Sequence, residues 1–184
     1  INSHENYFTT SSCSGRVSVF RSGLSAKHIK WLLVKHRLFR KEEVVAAITE
    51  PDSDPDFAGN LVTLKCEPVI LHINCRDLES ARSLHEVVTL SGFRESGIKL
   101  GNKKIILAVR TTANGMELPL ARGTQMIVDD GYLDLVVDEC NSRLASNFSR
   151  IDKFLMALKS HFGWPYLTLS STNTNTSTAI NISN

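Results

Sequence analysis

With 184 residues the chain has room for one domain around one hydrophobic core, and not for several. Hydrophobic residues at 42% and charged residues at 22% exclude a disordered, collagen-like or membrane-embedded composition. The net charge of +2, from 21 Lys and Arg against 19 Asp and Glu, permits a polyanionic partner without demanding one.

The chain begins at Ile1 in mid-pattern and reads as a fragment whose natural start lies upstream. Arg16 to Arg21 alternates polar and apolar residues, a strand signal with Val17 and Val19 on one face and Ser18 and Phe20 on the other. Lys30 to His36 suits a buried strand or a helix extended from Ser25, and strand is preferred. Lys41 to Glu50 is a short helix with an apolar stripe at Val44, Val45 and Ile48, and Pro51 to Pro55 is a surface loop. Leu61 to Cys66 and Val69 to Cys75 are strands parted by Glu67 and Pro68, which either pair or run on with a kink. Asp77 to Ser91 is a helix: Asp77 caps its start, Leu78, Ala81, Leu84 and Val88 form one face, and Gly92 ends it. Lys103 to Arg110 is another strand, with Ile105, Leu107 and Val109 inward. From about Asp130 a single long helix follows from apolar steps of three and four at Leu133, Val137, Cys140, Leu144, Phe148, Ile151, Leu155 and Leu158.

These elements predict an α+β fold: one domain over residues 1–167, a mixed sheet of about four to six strands, and the long C-terminal helix packed across it. Residues 168–184, rich in Ser, Thr and Asn, read as a disordered tail. No run approaches the roughly 20 apolar residues that cross a bilayer, and no secretory leader is legible, so a cytosolic or nuclear setting is expected. Without that leader, the glycosylation-like triplets at Asn147, Asn175 and Asn181 carry little meaning. The cysteines Cys13, Cys66, Cys75 and Cys140 lack C-x-x-C spacing and read as free thiols, although Cys66 and Cys75 are placed to meet across neighbouring strands. The six histidines are too scattered for a metal site, so none is assigned.

Two segments point to chemistry. Thr9-Thr10-Ser11-Ser12-Cys13-Ser14-Gly15-Arg16 reads as a loop able to cradle a ligand. Short hydroxyl side chains let backbone N–H groups approach an anion, Gly15 permits a positive φ, and Arg16 offers a bidentate fork. Gly92-Phe93-Arg94-Glu95-Ser96-Gly97-Ile98 is a glycine-bounded turn, without the spacing or element order of a dinucleotide fingerprint. Alternation gathers His72, Asn74, Arg76 and Arg110 on one sheet face. Trp31 and Trp164 read as packing residues, and Glu117-Leu118-Pro119 reads as a short turn. Cys13 has no His or Asp near it in sequence to activate it as a nucleophile.

Taken in order with Trp31-Leu32, His36, Arg76-Asp77, Ala81, Arg110 and Glu117-Leu118-Pro119, these two strings resemble the tRNA wybutosine-synthesizing protein 3 family from about Tyr7 to about Lys153. The resemblance implies a cytoplasmic methyltransferase that uses S-adenosylmethionine to methylate N-4 of a tricyclic guanine derivative, beside the anticodon of phenylalanine tRNA. It further implies cofactor contacts from Ser11, Ser12, Cys13, Ser14, Gly15, Ser96 and Gly97. Substrate contacts are implied for Arg16, Trp31, Arg76, Arg94, Arg110 and Pro119. One of His36, His72 and Glu117 is implied as the proton acceptor. Family members carry an N-terminal helix with an Asp-Lys-Ser type motif that this chain lacks, and the glycines before the Trp are reduced to Gly23, with Ala26-Lys27-His28 following. The competing reading is a non-catalytic RNA-binding module; a third is a fragment that folds and does neither.

Overall fold

The computed structural model describes residues 1–24, 28–51 and 53–163. The assignments to Ser25, to the Ala26-Lys27 insertion, to Trp164 and to the tail from 168 onward lie outside the described residues. Among the described residues nine strands and three helices follow one another: β1 (Tyr7–Cys13), β2 (Arg16–Ser22), β3 (Ile29–Lys35), α1 (Lys41–Thr49), β4 (Leu61–Glu67), β5 (Ile70–Cys75), α2 (Leu78–Leu90), β6 (Gly97–Leu100), β7 (Ile105–Arg110), β8 (Met116–Arg122), β9 (Gln125–Met126) and α3 (Asp130–Phe162).

The fold is α+β with a long C-terminal helix, as the sequence predicts. The strands, however, divide into two sheets rather than joining in one mixed sheet. The order is β1-β5-β7-β6 in the first and β3-β2-β4-β8-β9 in the second, and every pairing is antiparallel. The division is made by short linkers. Gly15 takes φ +94 between β1 and β2, a left-handed turn that suits glycine. Pro68, between β4 and β5, has no N–H to continue a ladder. The alternative of β4 and β5 pairing is therefore not realised, and Cys66 and Cys75 fall in different cores.

Each sheet has its own core. Val17, Val19, Val62 and Leu64 pack with Val44 and Ile48 of α1, and Ile73, Leu107 and Val109 pack with Ala81, Leu84 and Val88 of α2. Helix α3, about 50 Å long at 1.5 Å per residue, joins the two. Its first half, Leu133 to Leu144, belongs to the first core, and Phe154 and Leu158 to the second. Phe154 takes the inward place expected of Leu155, which is exposed. Asp77 accepts a hydrogen bond from Ser80 N at 2.7 Å, and Gly92 takes φ +94, so α2 is capped as its sequence predicts.

Two turn assignments are corrected. Thr9 to Cys13 is not a loop but part of β1, an edge strand whose hydroxyl run lacks the apolar alternation that announces strands. The turn shrinks to Ser14 and Gly15. Glu117-Leu118-Pro119 lies inside β8. Proline is tolerated there because β9 pairs only with Ala121 and Arg122, leaving β8 open on that side at Pro119, beside a bulge opposite Val62 and Thr63.

Candidate active site

Cross-strand partners share a face, so register alone sorts the candidate residues. On the outward face of the five-stranded sheet stand Arg16 opposite Glu67, Glu117 opposite Lys65, Pro119 opposite Thr63, and Trp31 opposite Phe20. On the outward face of the four-stranded sheet stand Ser11 opposite His72, and Cys13 and Arg110 on either side of Ile70. The two faces meet in a cleft of about 650 Å³ lined by Cys13, Arg16, Lys65, Glu67, Ile70, Arg110, Thr111, Met116 and Glu117, among others. That volume is within the range of small-molecule sites.

The cleft is polarised by fixed ion pairs. Arg16 Nε donates to Glu67 Oε2, and its guanidinium stands 5.2 Å from the centre of the Trp31 ring, which is 48% exposed. The hydrogen bond to Glu67 is the main reason the Arg16 pKa is raised still further. Lys65 Nζ pairs with Glu117 Oε2 at 3.0 Å. Arg110 is held from behind by the glycine-bounded turn: its Nε donates to Glu95 O at 2.9 Å, and its backbone N donates to Ser96 Oγ at 3.1 Å. Ser96 thus reaches the cleft through Arg110.

His36 Nδ1 lies 2.9 Å from Gly15 O and 3.9 Å from Cys13 Sγ. A carbonyl only accepts, so Nδ1 carries a proton in that bond. The structure thereby sets a histidine beside Cys13 that sequence spacing does not reveal, yet the ring nitrogen facing the thiol is already protonated. His72 Nδ1 meets Ser11 Oγ at 2.7 Å. Ser14 O accepts from Asn147 Nδ2 at 2.6 Å, and Asn147 Oδ1 accepts from Val69 N at 2.9 Å, so one side chain of α3 holds both inter-sheet linkers.

Other candidates stand apart. Ser12 pairs with Leu71 and, between Ser11 and Cys13, presents to the opposite face of the strand. Arg76 is at the far end of β5, about 20 Å along the strand from Ile70, where it contacts Asn6 and Glu5. Arg94 is exposed on the turn, and Gly97 opens β6 opposite Ala108.

Lys65, Glu67 and Asn147 were not among the sequence candidates. The first two alternate with Leu64 and Cys66, which assigns them to an outward face. Asn147 sits on the apolar stripe of a helix, and a polar residue there signals a structural bond. At 1% exposure with its amide engaged on both sides, it is no glycosylation acceptor. Among the described residues no group of three or more His, Cys, Asp and Glu is arranged to hold a metal ion, and no helix is long and apolar enough to cross a membrane.

The family described as Methyltransferase TYW3 matches residues 1–160. The Xenopus laevis tRNA wybutosine-synthesizing protein 3 homolog is 41% identical over 160 residues, covering 84% of this chain and 61% of that protein. The chain therefore spans about three fifths of the length of its vertebrate relatives. A Thermococcus kodakarensis protein, tRNA(Phe) 7-((3-amino-3-carboxypropyl)-4-demethylwyosine(37)-N(4))-methyltransferase 2, is 34% identical over 155 residues, covering 83% of this chain and 70% of that one. The solved structure of the PH1069 protein from Pyrococcus horikoshii aligns with a TM-score of 0.73 at 34% identity, over 87% of this chain and 78% of that chain.

Proposed function

The chain belongs to the Methyltransferase TYW3 family, and from that premise we propose that it transfers a methyl group from S-adenosylmethionine to N-4 of the tricyclic wybutosine precursor base beside the anticodon of phenylalanine tRNA, in the cytoplasm. The observation that carries this reading is the cleft where the two sheets meet, because Cys13, Arg16, Arg110 and Glu117 line it together.

The donor set fits the cofactor. A zwitterionic amino-acid end needs a cation for its carboxylate and an anion for its ammonium, and Arg16 beside Glu67 offers both; Ile70 and Met116 give apolar wall to the rest. When bound, S-adenosylmethionine supplies an electrophilic methyl group on a sulfonium sulfur. The protein's work is alignment: the acceptor nitrogen must approach that carbon in line. Cys13 lines the four-stranded side, Ser14 and Gly15 make the turn that joins β1 to β2 next to it, and Ser96 with the Glu95 carbonyl supports Arg110 from behind. Arg110 faces substrate phosphate. Glu117, the one of the three proton-acceptor candidates that lines the cleft, takes the proton the acceptor nitrogen loses, while Lys65 orients its carboxylate.

The test is transfer of a labelled methyl group to phenylalanine tRNA that carries the unmethylated precursor, beside calorimetric titration with the cofactor. The expected result is label at that base, with Arg16→Ala weakening cofactor binding about tenfold and Glu117→Gln lowering turnover with little change in binding. RNA binding without measurable cofactor affinity would overturn this reading in favour of a non-catalytic RNA-binding module.

A further inference from the structure

The four-stranded sheet has helices α2 and α3 on one face; the other exposes Phe8, Ser11, Ile70, Lys99 and Arg110. On that open face β1 is re-phased by a register shift between Thr9 and Ser11. Phe8 pairs with Asn74 and Ser11 with His72, so the shift turns Phe8, Ser11 and Cys13 to the same side while Tyr7 stays buried. Phe8 is 52% exposed, a large aromatic ring on an open sheet. Along β6 and β7 the same face carries Lys99, opposite Ile106, and Arg110. None of the outward positions of the four strands is Asp or Glu, in a chain with 19 acidic residues. The face runs without a break into the cleft, since Cys13, Ile70 and Arg110 belong to both.

We propose that this open face is a docking surface for single-stranded nucleotides of the tRNA anticodon loop, with Phe8 stacking a base and Lys99 meeting the backbone on the way to the cleft. The inference rests on the tRNA methyltransferase reading and adds the surface that presents the loop. Single-stranded RNA is the occupant that fits. An outward aromatic on a four-stranded antiparallel sheet stacks unpaired bases, whereas a double helix hides its base faces and is met by phosphate contacts alone. Lys99, on strands that carry no Asp or Glu, suits a phosphate chain and gives a second protein surface nothing acidic to pair with. The strands extend about 20 Å, a length that serves two or three stacked bases in other sheets of this kind.

The experiment uses the whole chain with a fluorescent anticodon stem-loop of phenylalanine tRNA, a blunt duplex of equal length as control, and cofactor calorimetry on every variant. Phe8→Ala is expected to weaken stem-loop binding roughly fivefold or more. Lys99→Glu is expected to weaken it and to flatten its salt dependence by about one phosphate contact. Both variants are expected to leave cofactor affinity within about twofold, and Phe8→Ala is expected to leave duplex binding within about twofold as well. If the unaltered chain binds the stem-loop and both variants match it, the docking surface is wrong and the methyltransferase reading stands. If the unaltered chain binds neither cofactor nor stem-loop, the methyltransferase reading itself fails. If light scattering shows a dimer that Phe8→Ala dissociates with RNA binding unchanged, the occupant is a second copy of this chain and the inference is overturned.

Discussion

Asn147 Nδ2 donates to Ser14 O at 2.6 Å across the seam where the two sheets part. The same side chain accepts from Val69 N at 2.9 Å, so both linkers that carry the chain between sheets hang on one buried amide of α3. Asn147→Ala removes the acceptor of a buried N–H and the donor to a carbonyl, and is expected to destabilise the fold by about 2 kcal/mol or more. Asn147→Asp keeps an acceptor for Val69 N but sets a carboxylate against Ser14 O, and is expected to cost at least as much. Urea midpoints measure both; a loss under about 0.5 kcal/mol for Asn147→Ala would show that the amide does not hold the seam.

Gly15 makes the partner prediction. Its φ is +94, and a Cβ built there would sit 2.6 Å from Asn147 Nδ2 and 3.1 Å from Glu67 O. The amide is committed on both sides and Glu67 O is backbone, so neither neighbour moves easily. Gly15→Ala is expected to cost about 2–3 kcal/mol from left-handed strain plus the clash. Gly97 is the contrast: no heavy atom is within 4 Å of its added Cβ. Gly97→Ala is expected to be neutral or to stabilise by about 0.5 kcal/mol. Thermal melts of the two variants side by side check the claim, which fails if both behave alike.

What the sequence made legible was local. Asp77 and Gly92 bracket α2 because a cap bond and a positive φ are decided within a few residues. Leu133, Cys140 and Leu144 reveal α3 because a helix repeats its own pattern. The hydroxyl string was different: Ser11 finds His72 across 60 residues of chain, and neither residue type signals the pairing. The division into two sheets turns on Gly15 and Pro68, two positions whose effect exists only once distant strands compete for partners. His36 reached Cys13 in the same way, through the β2–β3 hairpin. The candidate site was thus readable as a set of residues, and its arrangement was not.

Tyr7 titrates late. Burial is the main cause that raises its hydroxyl from an ordinary value near 10 to about 12, and the folded hydroxyl donates to Ser80 O at 3.0 Å. Because the folded pKa lies above the unfolded one, the neutral phenol's contribution is fully present below pH 10 and is lost as pH rises toward about 12. Tyr7 is therefore expected to ionise only as the fold opens. Tyrosinate absorbance during an alkaline titration measures this. Tyr7→Phe is expected to remove the late phase and to flatten the loss of stability with alkali; an unchanged late phase in that variant would assign it to another tyrosine.

Cys13 reports on the cleft without any need for turnover. It is half-buried in the cleft wall, whereas Cys66, Cys75 and Cys140 are buried. Burial pushes the Cys75 thiol up to about 11, and a hydrogen bond with Cys66, together with burial, raises Cys140. Cys66 has its own pKa lowered by that same bond, but at 2% exposure a reagent cannot reach it, and reactivity requires both thiolate and access. An aromatic disulfide reagent is therefore expected to modify one thiol of the four in a fast phase that Cys13→Ser removes. Saturating S-adenosylmethionine is expected to slow that phase about tenfold or more by filling the space in front of the sulfur, while adenine alone slows it less for want of the end held by Arg16 and Glu67. If calorimetry shows the cofactor bound and Cys13 still reacts at its original rate, the cofactor lies outside the cleft between the two sheets, and the roles assigned to Arg16, Glu67 and Glu117 fall with it.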